Sequence, residues 1–415
     1  MTPIERKVVN TVMTMIRRRR YAAAARDAAA ARADLLGTHR SGSLAPARLR
    51  EARFSDFEAV MDLKARWGLT ADSLANWEHL WRRNPALERM NPKPPIGWVL
   101  EADDKTVGYL GNVTQFYNYC GRNLTAVAGT GFVVAPGYRT ASLRLLSAFY
   151  KQDSVDLFLA TTVGEVAEKL LKLFNVAALP QPDYNTSLFW VLKPYAFVQE
   201  AIKKLELNRA LSTVSAPFAS LAVRTDKILH RRWARHSFQG PAIREIGLDE
   251  IGEEFQTLWT EKLKEGSRLL AHRTPASLKW HFGIPGHRGT IHILGCFQNG
   301  KLLGYTVVRT DINQVSGLRR SIIADLLVKE DNPVIIEALL SRTYQLSEST
   351  GSHVLEVLGF PQNIRRLCLQ WSPYSRRYPN FPFFYKAANP ELHKALFDPA
   401  PWFASPFDGD TTLVP

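Results

Sequence analysis

An internal repeat constrains the fold of this chain more than any other feature of its sequence. An offset of about 194 residues aligns residues 48–67 with 242–261, and each segment is typical of a short strand followed by an amphipathic helix. The same offset aligns residues 97–115 with 291–311, where two strand patterns flank a polar turn, as in a β-hairpin. One fold is therefore predicted to occur twice.

The repeat continues through the second part of each half. In each half, the hydrophobic pattern next predicts a strand–turn–helix unit, then a strand–helix unit, and finally a strand that closes that half. The paired segments are residues 129–146 and 323–340, 156–176 and 353–373, and 184–194 and 381–390. A further helical segment at residues 73–85 aligns with residues 277–285. Each half therefore reads β-α-α-β-β-β-α-β-α-β, which predicts a mixed α/β (α+β) unit with mostly antiparallel strands.

The repeat also divides the chain into domains. With 415 residues, the chain is long enough for two domains that each bury a core. The predicted parts are a basic helical arm with its linker at 1–46, a first domain at 47–194, a helical connector at 195–241, and a second domain with a C-terminal tail at 242–415.

The N-terminal arm carries a short apolar face followed by a block of arginines. Its apolar residues recur at helical spacing, and Arg17 to Arg20 follow them. A secretory signal would place its charges before the apolar segment, so a signal peptide is not indicated. Two interpretations stay open: a basic amphipathic helix that binds an anionic inner membrane face or a partner, and a solvated helical extension.

Composition narrows the class of protein. The formal net charge of +14 allows an anionic partner, which could be nucleic acid, a membrane surface or a phosphate-bearing cofactor. Neither zinc-finger spacing nor a basic–aromatic tract supports nucleic acid. Three distant cysteines and the lack of metal-ligand spacing predict a protein of the reducing cytoplasm without a metal site. No apolar run approaches the roughly 20 residues of a transmembrane helix.

The segment GTGFVVAPGYRTASLRLLSAFY, residues 129–150, predicts a buried strand that turns into an amphipathic helix. Pro136 and Gly137 end the strand, and Arg139 and Arg144 lie where the helix begins. Backbone amides and the dipole at a helix N-terminus attract anions, and arginines add charge-assisted hydrogen bonds to phosphate. This turn is therefore predicted to bind a phosphate-bearing ligand.

Together with VGYLGNVTQ and DLFLATTVGEVAEKLLKLFNV, that segment resembles the Gcn5-related N-acetyltransferase (GNAT) superfamily. The doubled order is similar to two-domain bacterial members and to the related aminoacyltransferases of the Fem type. The resemblance covers nearly everything after residue 46. It implies two tandem GNAT-like domains, the first of which binds an acyl-coenzyme A, with acetyl-CoA expected as the donor.

The resemblance also implies which residues contact the donor. In the superfamily the fourth strand supplies a backbone amide to the oxyanion, which here falls on Phe132, Val133 or Val134. The implied cofactor-binding residues are Val133, Val134, Tyr138, Arg139, Thr140, Ala141, Ser142 and Arg144.

The sequence departs from the superfamily pattern in three places. Ser142 and Arg144 replace small residues of the pyrophosphate turn. The helix after the fifth strand has Leu171 and Phe174 where the superfamily often has a tyrosine that acts as the general acid. The second-half turn, residues 328–333, carries acids that would repel pyrophosphate, so we expect that half to shape the acceptor cleft.

Substitutes for the missing acid and base are expected near strand ends. The candidate catalytic residues are Tyr184, Glu101 and Asp183. In the tail WFASPFDGDTTLV, Asp408 and Asp410 flank a glycine and are predicted either to bind the ammonium or hydroxyl groups of an acceptor or to form a polar turn.

The function implied by the resemblance is an N-acyltransferase that moves an acyl group, expected to be acetyl, from acyl-CoA to an amine. The doubled family suggests an amino sugar or another cell-envelope polysaccharide precursor as a small-molecule or glycan acceptor. Two alternatives stay open: a Fem-type transferase with an aminoacyl-tRNA donor, and a catalytically inactive doubled protein that acts in binding or assembly.

Overall fold

A computed structural model describes residues 45–163, 165–204, 209–232, 241–285, 289–313, 317–378 and 382–413 of this protein. The predicted helix of the N-terminal arm lies outside the described residues, and so do both interpretations of it, the membrane or partner contact and the solvated extension. The elements of the first half are β1 Arg48–Glu51, α1 Phe57–Arg66, α2 Leu74–Arg82, α3 Pro85–Glu88, β2 Gly97–Ala102, β3 Lys105–Tyr119, β4 Arg122–Val134, α4 Ser142–Tyr150, β5 Leu157–Ala160, α5 Glu165–Leu171, β6 Ala177–Ala178 and β7 Thr186–Val191.

Two helices connect this half to the second, and the second half follows a similar order. The connecting helices are α6 Pro194–Lys204 and α7 Arg209–Leu229. The remaining elements are β8 Ala242–Ile246, α8 Glu253–Lys262, β9 Leu270–Ala271, α9 Pro275–Phe282, β10 Thr290–Gln298, β11 Lys301–Ile312, β12 Arg319–Val328, α10 Pro333–Ser349, β13 Val354–Val357, α11 Gln362–Leu369, β14 Tyr374–Arg377, β15 Phe384–Ala387 and α12 Pro390–Leu396.

The strands form two mixed sheets, as the repeat predicts. The first sheet has the order β1-β2-β3-β4-β5-β15-β6, with β9 paired to β3, and the second has the order β14-β7-β13-β12-β11-β10-β8. Within the described residues, only β4–β5 and β12–β13 pair in parallel. The predicted fold class, a mixed and mostly antiparallel α/β unit that occurs twice, is confirmed.

Both predicted hairpin turns are present. Asp103 and Asp104 join β2 to β3 with φ angles of 48° and 57°, and Asn299 and Gly300 join β10 to β11 with φ angles of 50° and 76°. Two successive residues with positive φ are typical of the type I′ turn, which matches the twist of the strands that it connects. The polar turn residues therefore fix the register of both hairpins.

The prediction that each closing strand completes its own half is wrong. Strand β7 pairs with β13 and β14 of the second sheet, and β15 pairs with β5 and β6 of the first sheet. A repeat identifies the strand but not its partner, and the chain between β6 and β7 crosses to the other sheet. Trp190 of β7 is fully buried there, and its indole donates a hydrogen bond to the Trp371 carbonyl at 3.1 Å.

The exchanged strands and the C-terminal tail join the two sheets. In the tail, Phe403, Ala404, Ser405, Phe407 and Asp410 expose 1% or less of their surface. The largest core cluster contains residues from both sheets together with tail residues. Within the described part of the chain, no helix has both the length and the apolar character needed to cross a bilayer.

Candidate active site

Strands β4 and β5 separate in the middle of the first sheet. Their parallel pairing covers three residue pairs and ends at Ala128 opposite Leu159, whereas β4 continues to Val134. On the other side, β4 stays paired with β3, but its register shifts at a bulge next to Gly131. Gly131 has a φ of 63°, and a Cβ there would lie 3.3 Å from the Tyr109 ring. The backbone from 129 to 134 thus borders a gap in the sheet.

The strand next turns into a helix at the predicted anion site. Residues Pro136–Ala141 form a 3-10 turn that leads directly into α4. Tyr138 and Ala141 are half-buried, whereas the side chains of Arg139 and Thr140 are exposed. A partial positive charge at the start of α4 and a guanidinium beside it make this turn attractive to an anion.

The two residues that replace small ones in the turn have different environments. Ser142 is buried, with 6% of its surface exposed. Arg144 is exposed and donates a hydrogen bond to the backbone carbonyl of Ala47, just before β1. An open groove of about 560 Å³ follows the outer face of α4 and is lined by Leu49, Leu143, Arg144, Ser147, Ala148, Lys151, Leu173 and Phe174. Arg144 therefore borders this groove.

The carboxylate of Asp410 lies beside the place where β4 and β5 separate. It accepts hydrogen bonds from the Thr161 hydroxyl at 2.7 Å and the Thr162 hydroxyl at 2.9 Å, just after β5. Thr130 of β4 also donates to it. Burial raises the pKa of Asp410 above its ordinary value, and these hydroxyl hydrogen bonds only partly oppose the shift. No described cation pairs with this carboxylate.

Asp408 belongs to a separate, fully buried network. It accepts hydrogen bonds from the Tyr117 hydroxyl at 2.9 Å and the Ser405 amide at 2.8 Å. Burial raises the pKa of Asp408, and the nearby Arg273 guanidinium acts in the opposite direction. Arg273 itself forms a buried ion pair with Asp325 of β12, with Nε and Oδ2 3.0 Å apart. Asp408 is therefore part of the contact between the two sheets.

Gly409 allows the tail to approach β5 closely. Its φ is 68°, and a Cβ at this position would lie 2.4 Å from the Thr161 hydroxyl oxygen. The carbonyl of Gly409 accepts a hydrogen bond from Gln115 Nε2 at 2.6 Å. Only glycine combines this backbone conformation with such a short approach.

Gly409→Ala is expected to reduce the free energy of unfolding by about 1–3 kcal/mol, because the new methyl group adds a clash to backbone strain. Gly300→Ala is the matched control, since Gly300 also has positive φ but nothing lies within 4 Å of its Cβ position. Urea denaturation of both variants measures the difference. Equal losses in the two variants would contradict a close approach at Gly409.

The three candidate catalytic residues do not form one cluster, because Asp183 and Tyr184 are neighbours in the chain whereas Glu101 lies on β2. Tyr184 is buried under the tail, burial raises its pKa well above the ordinary value, and its hydroxyl lies 3.4 Å from the Ser405 carbonyl. Glu101 lies on β2, two strands from β4, and a hydrogen bond from Arg50 lowers its pKa. Asp183 accepts a hydrogen bond from Gln362. The structure does not bring these three residues together, and their catalytic roles stay predictions.

In the corresponding turn of the second half, an acidic residue of the turn pairs with the nearby basic residues. Asp331 of the 3-10 turn Lys329–Asp331 accepts a hydrogen bond from Lys262 at 2.6 Å and pairs with Arg268. Burial alone would raise the pKa of Asp331, but Lys262 and Arg268 lower it overall. These contacts use the local cations, so the second turn offers an anion less positive charge than the first.

Sequence reasoning missed the partners that hold the tail. Thr161 and Thr162 lie 249 and 248 positions before Asp410, and Asp325 lies 52 positions after Arg273. The only sequence signal was indirect: two threonines end a buried strand, and an arginine precedes a helix cap. Nothing in their spacing predicts these contacts.

A comparison with solved structures identifies the fold. A GCN5-related N-acetyltransferase from Anabaena variabilis is 11% identical, with a TM-score of 0.53, over 83% of this chain and 73% of that chain. A probable N-acyltransferase from Enterococcus faecalis is 10% identical, with the same TM-score and the same coverage. No protein-family model matches the sequence, and no significant match to a curated protein is found. The predicted resemblance to the GNAT fold is confirmed.

Proposed function

We propose that this chain, which has the fold of the Gcn5-related N-acetyltransferases, is an N-acyltransferase that uses acyl-CoA as donor and a primary amine as acceptor. The observation that carries the proposal is the separation of β4 from β5, directly followed by a turn and the N-terminus of α4. An acyl chain in the gap would lie beside unpaired strand backbone, and a pyrophosphate at the turn would meet a helix dipole and Arg139.

The turn presents exposed polar side chains that can bind the phosphates of the donor. Arg139 and Thr140 present polar side chains to solvent, whereas Ser142 is buried. We assign pyrophosphate binding to Arg139, Thr140 and the backbone of the turn, with Arg144 at the edge of the groove. The thioester of the bound donor supplies the acyl group and a good leaving thiolate.

The backbone beyond the bulge is suited to stabilise the oxyanion. Amides between Phe132 and Val134 border the gap, where the carbonyl of the thioester would become tetrahedral. A preorganised amide is worth more there than in water, because it does not need to reorient as charge develops. The side chains at these positions do not indicate this role, because the backbone amides and not the side chains would stabilise the oxyanion.

We assign the proton transfer to Asp410. An ammonium acceptor gives one proton to the carboxylate, and the neutral amine then attacks the thioester carbonyl to form the C–N bond. The C–S bond breaks as the second amine proton passes to the departing thiolate, which leaves as CoA thiol. Threonine hydroxyls hold the carboxylate at the gap, and its raised pKa makes it a better base than an exposed aspartate. This assignment gives Asp410 a catalytic role in addition to the predicted contact with the acceptor.

The acceptor class that we propose is an amino sugar or a similar hydroxylated amine of an envelope polysaccharide precursor. A small cavity of about 20 Å³ lies between the two halves next to Phe407 of the tail, and Thr114 and Gln115 line it. Thr114 Oγ1 and Gln115 Oε1 are buried and accept no hydrogen bond from a described residue. The cavity has room for about one water-sized group, so these two oxygens would accept hydrogen bonds from a single hydroxyl or ammonium group of the acceptor.

Arg139→Ala is expected to weaken acetyl-CoA binding by about tenfold, because a charge-assisted hydrogen bond to phosphate is lost. Isothermal titration calorimetry with the full-length protein measures the change, and longer acyl-CoA donors tested in parallel give the preferred chain length. Arg342→Ala is the control, because Arg342 is an exposed arginine on α10 of the second half.

The outcome of this titration also separates the alternatives. Wild-type protein that binds no acyl-CoA would contradict the proposal, and binding of an aminoacyl-tRNA instead would favour the Fem-type donor. Equal binding by wild type and Arg139→Ala would remove Arg139 from the site. Tight binding without release of CoA thiol in the presence of D-glucosamine or other amines would favour an inactive binding protein.

A further inference from the structure

Helix α7 exposes a stripe of large apolar side chains that no described element covers. Leu221 and Ile228 expose 61% and 66% of their surface, and Leu229 at the end of the helix exposes 61%. Pro217, Leu221, Arg224 and Ile228 follow the spacing of one helix face. Single exposed leucines are ordinary, but three large aliphatic residues in the last nine positions of one helix indicate a binding surface.

The opposite face of α7 accounts for its packing on the second sheet. Val223 and Ala219 pack against Val198 of α6, and Val223 also contacts the cluster around Phe189. Asp226 lies on this inner face and accepts hydrogen bonds from Arg232 and Tyr374. The exposed stripe is therefore not needed to attach the helix.

Two charged residues near the C-terminal end of α7 have partners within the protein, since Lys227 pairs with Glu348 and Asp226 pairs with Arg232. Asp226, the acid in the described C-terminal part of the helix, is buried and paired. Arg224 lies within the apolar stripe and Arg231 follows the helix, and neither forms an ion pair with a described residue. The outer face therefore combines aliphatic side chains with unpaired positive charge.

We propose that this outer face of α7 docks on an anionic membrane surface. A helix with aliphatic residues and arginines on one face lies in the plane of the interface, where the apolar side chains enter the acyl boundary and the cations meet lipid phosphates. At 21 residues, α7 is about 31 Å long. It would therefore cover several headgroups while it lies flat.

A second copy of the chain fits this face less well. In a two-fold symmetric contact, the same surfaces face each other, so the Arg224 residues of both copies would approach within the apolar stripe. Like charges at a desolvated contact oppose association. An anionic lipid surface has the complementary charge, and this decides between the two occupants.

The test is vesicle co-sedimentation of the full-length protein with phosphatidylglycerol-containing and pure phosphatidylcholine vesicles. Wild type is expected to bind the anionic vesicles, and the triple variant Leu221→Ser, Ile228→Ser, Leu229→Ser to bind at least about tenfold more weakly. The matched control is Leu369→Ser with Phe397→Ser, two apolar residues that are 52% and 71% exposed elsewhere. All proteins keep the basic N-terminal arm, so the difference between them isolates α7.

Several results would overturn the proposal. These are a lack of binding by wild type to anionic vesicles, equal binding by the triple variant, and an equal loss in the control variant. Size-exclusion chromatography with light scattering measures the oligomeric state of wild type and the triple variant, and so tests whether a second copy covers this face. A wild-type dimer that the triple variant converts to a monomer, with vesicle binding unchanged, would assign the face to a second copy.

Discussion

Replacing Asp410 by asparagine is expected to lower kcat by about 10²- to 10⁴-fold, which is the usual contribution of a positioned general base. Asparagine keeps the size of the side chain and accepts a hydrogen bond from Thr161, but it does not take up a proton. Release of CoA thiol from acetyl-CoA, with D-glucosamine and other primary amines as acceptors, measures the rate.

The stability of this variant is expected to stay the same or increase. Because burial raises the pKa of Asp410, the folded protein favours the protonated carboxyl. Its contribution to stability is greatest below the unfolded pKa of about 3.9 and declines as the pH rises through the folded pKa. Near neutral pH the buried charge is a cost that asparagine removes. Thermal unfolding of Asp410→Asn at pH 7 and pH 4 checks this sign.

The pH profile of the rate gives an independent measurement. Wild-type kcat/KM is expected to rise with pH through the raised pKa of Asp410, because only the carboxylate accepts a proton. The variant should lack this ascending limb. Asp183→Asn is the control at an exposed carboxylate and tests the earlier candidate. A wild-type rate for Asp410→Asn, or an equal loss for Asp183→Asn, would exclude Asp410 as the base.

Asp325→Ala is expected to reduce the free energy of unfolding by about 3–5 kcal/mol, because it leaves the Arg273 charge buried without its partner. Both side chains have 0% exposure, and the guanidinium reaches the carboxylate through Nε and a terminal nitrogen, each at 3.0 Å. Tyr305 also loses the acceptor of its hydroxyl, which is 2.9 Å away. Urea denaturation measures the loss.

Two controls separate the burial of this pair from its chemistry. The exposed pair Arg82–Glu78 has a nitrogen–oxygen distance of 2.9 Å, and Glu78→Ala is expected to cost less than about 1 kcal/mol. The double variant Arg273→Met with Asp325→Leu should be more stable than Asp325→Ala, because neither charge of the pair stays buried without the other. A loss at Asp325 as small as that at Glu78 would contradict an interior ion pair.

This pair matters because Arg273 contacts three parts of the molecule. Arg273 follows β9, which pairs with the first sheet, and its main partner, Asp325, lies on β12 of the second sheet. A terminal nitrogen of its guanidinium also donates a hydrogen bond to the Ser405 hydroxyl of the tail at 3.3 Å. Burial alone would lower the pKa of Arg273, but Asp325 and Asp408 raise it overall. Loss of the pair is therefore expected to loosen the tail that carries Asp410.

The sequence by itself determined the doubled fold and the two hairpins. Hydrophobic periodicity is a local property, so the main strands and helices of each half could be identified from their neighbours, although short elements such as α3, β9 and α12 were not predicted. Residues such as Asp103 and Gly300 specify their turns through backbone conformation. The predicted anion site also rests on local order, because a strand, a turn and a helix follow one another within residues 129–150.

Only the tertiary structure decided how the two halves are joined and where the acids of the tail lie. The exchange of β7 and β15 depends on which sheet each strand reaches, and a local pattern carries no information on that choice. Asp410 meets Thr161 across 249 positions, and the raised pKa of its carboxylate comes from this burial. Solvation and long-range packing are properties of the folded chain. The sequence therefore identified Asp408 and Asp410 as candidates but did not predict their burial or their hydrogen-bond partners.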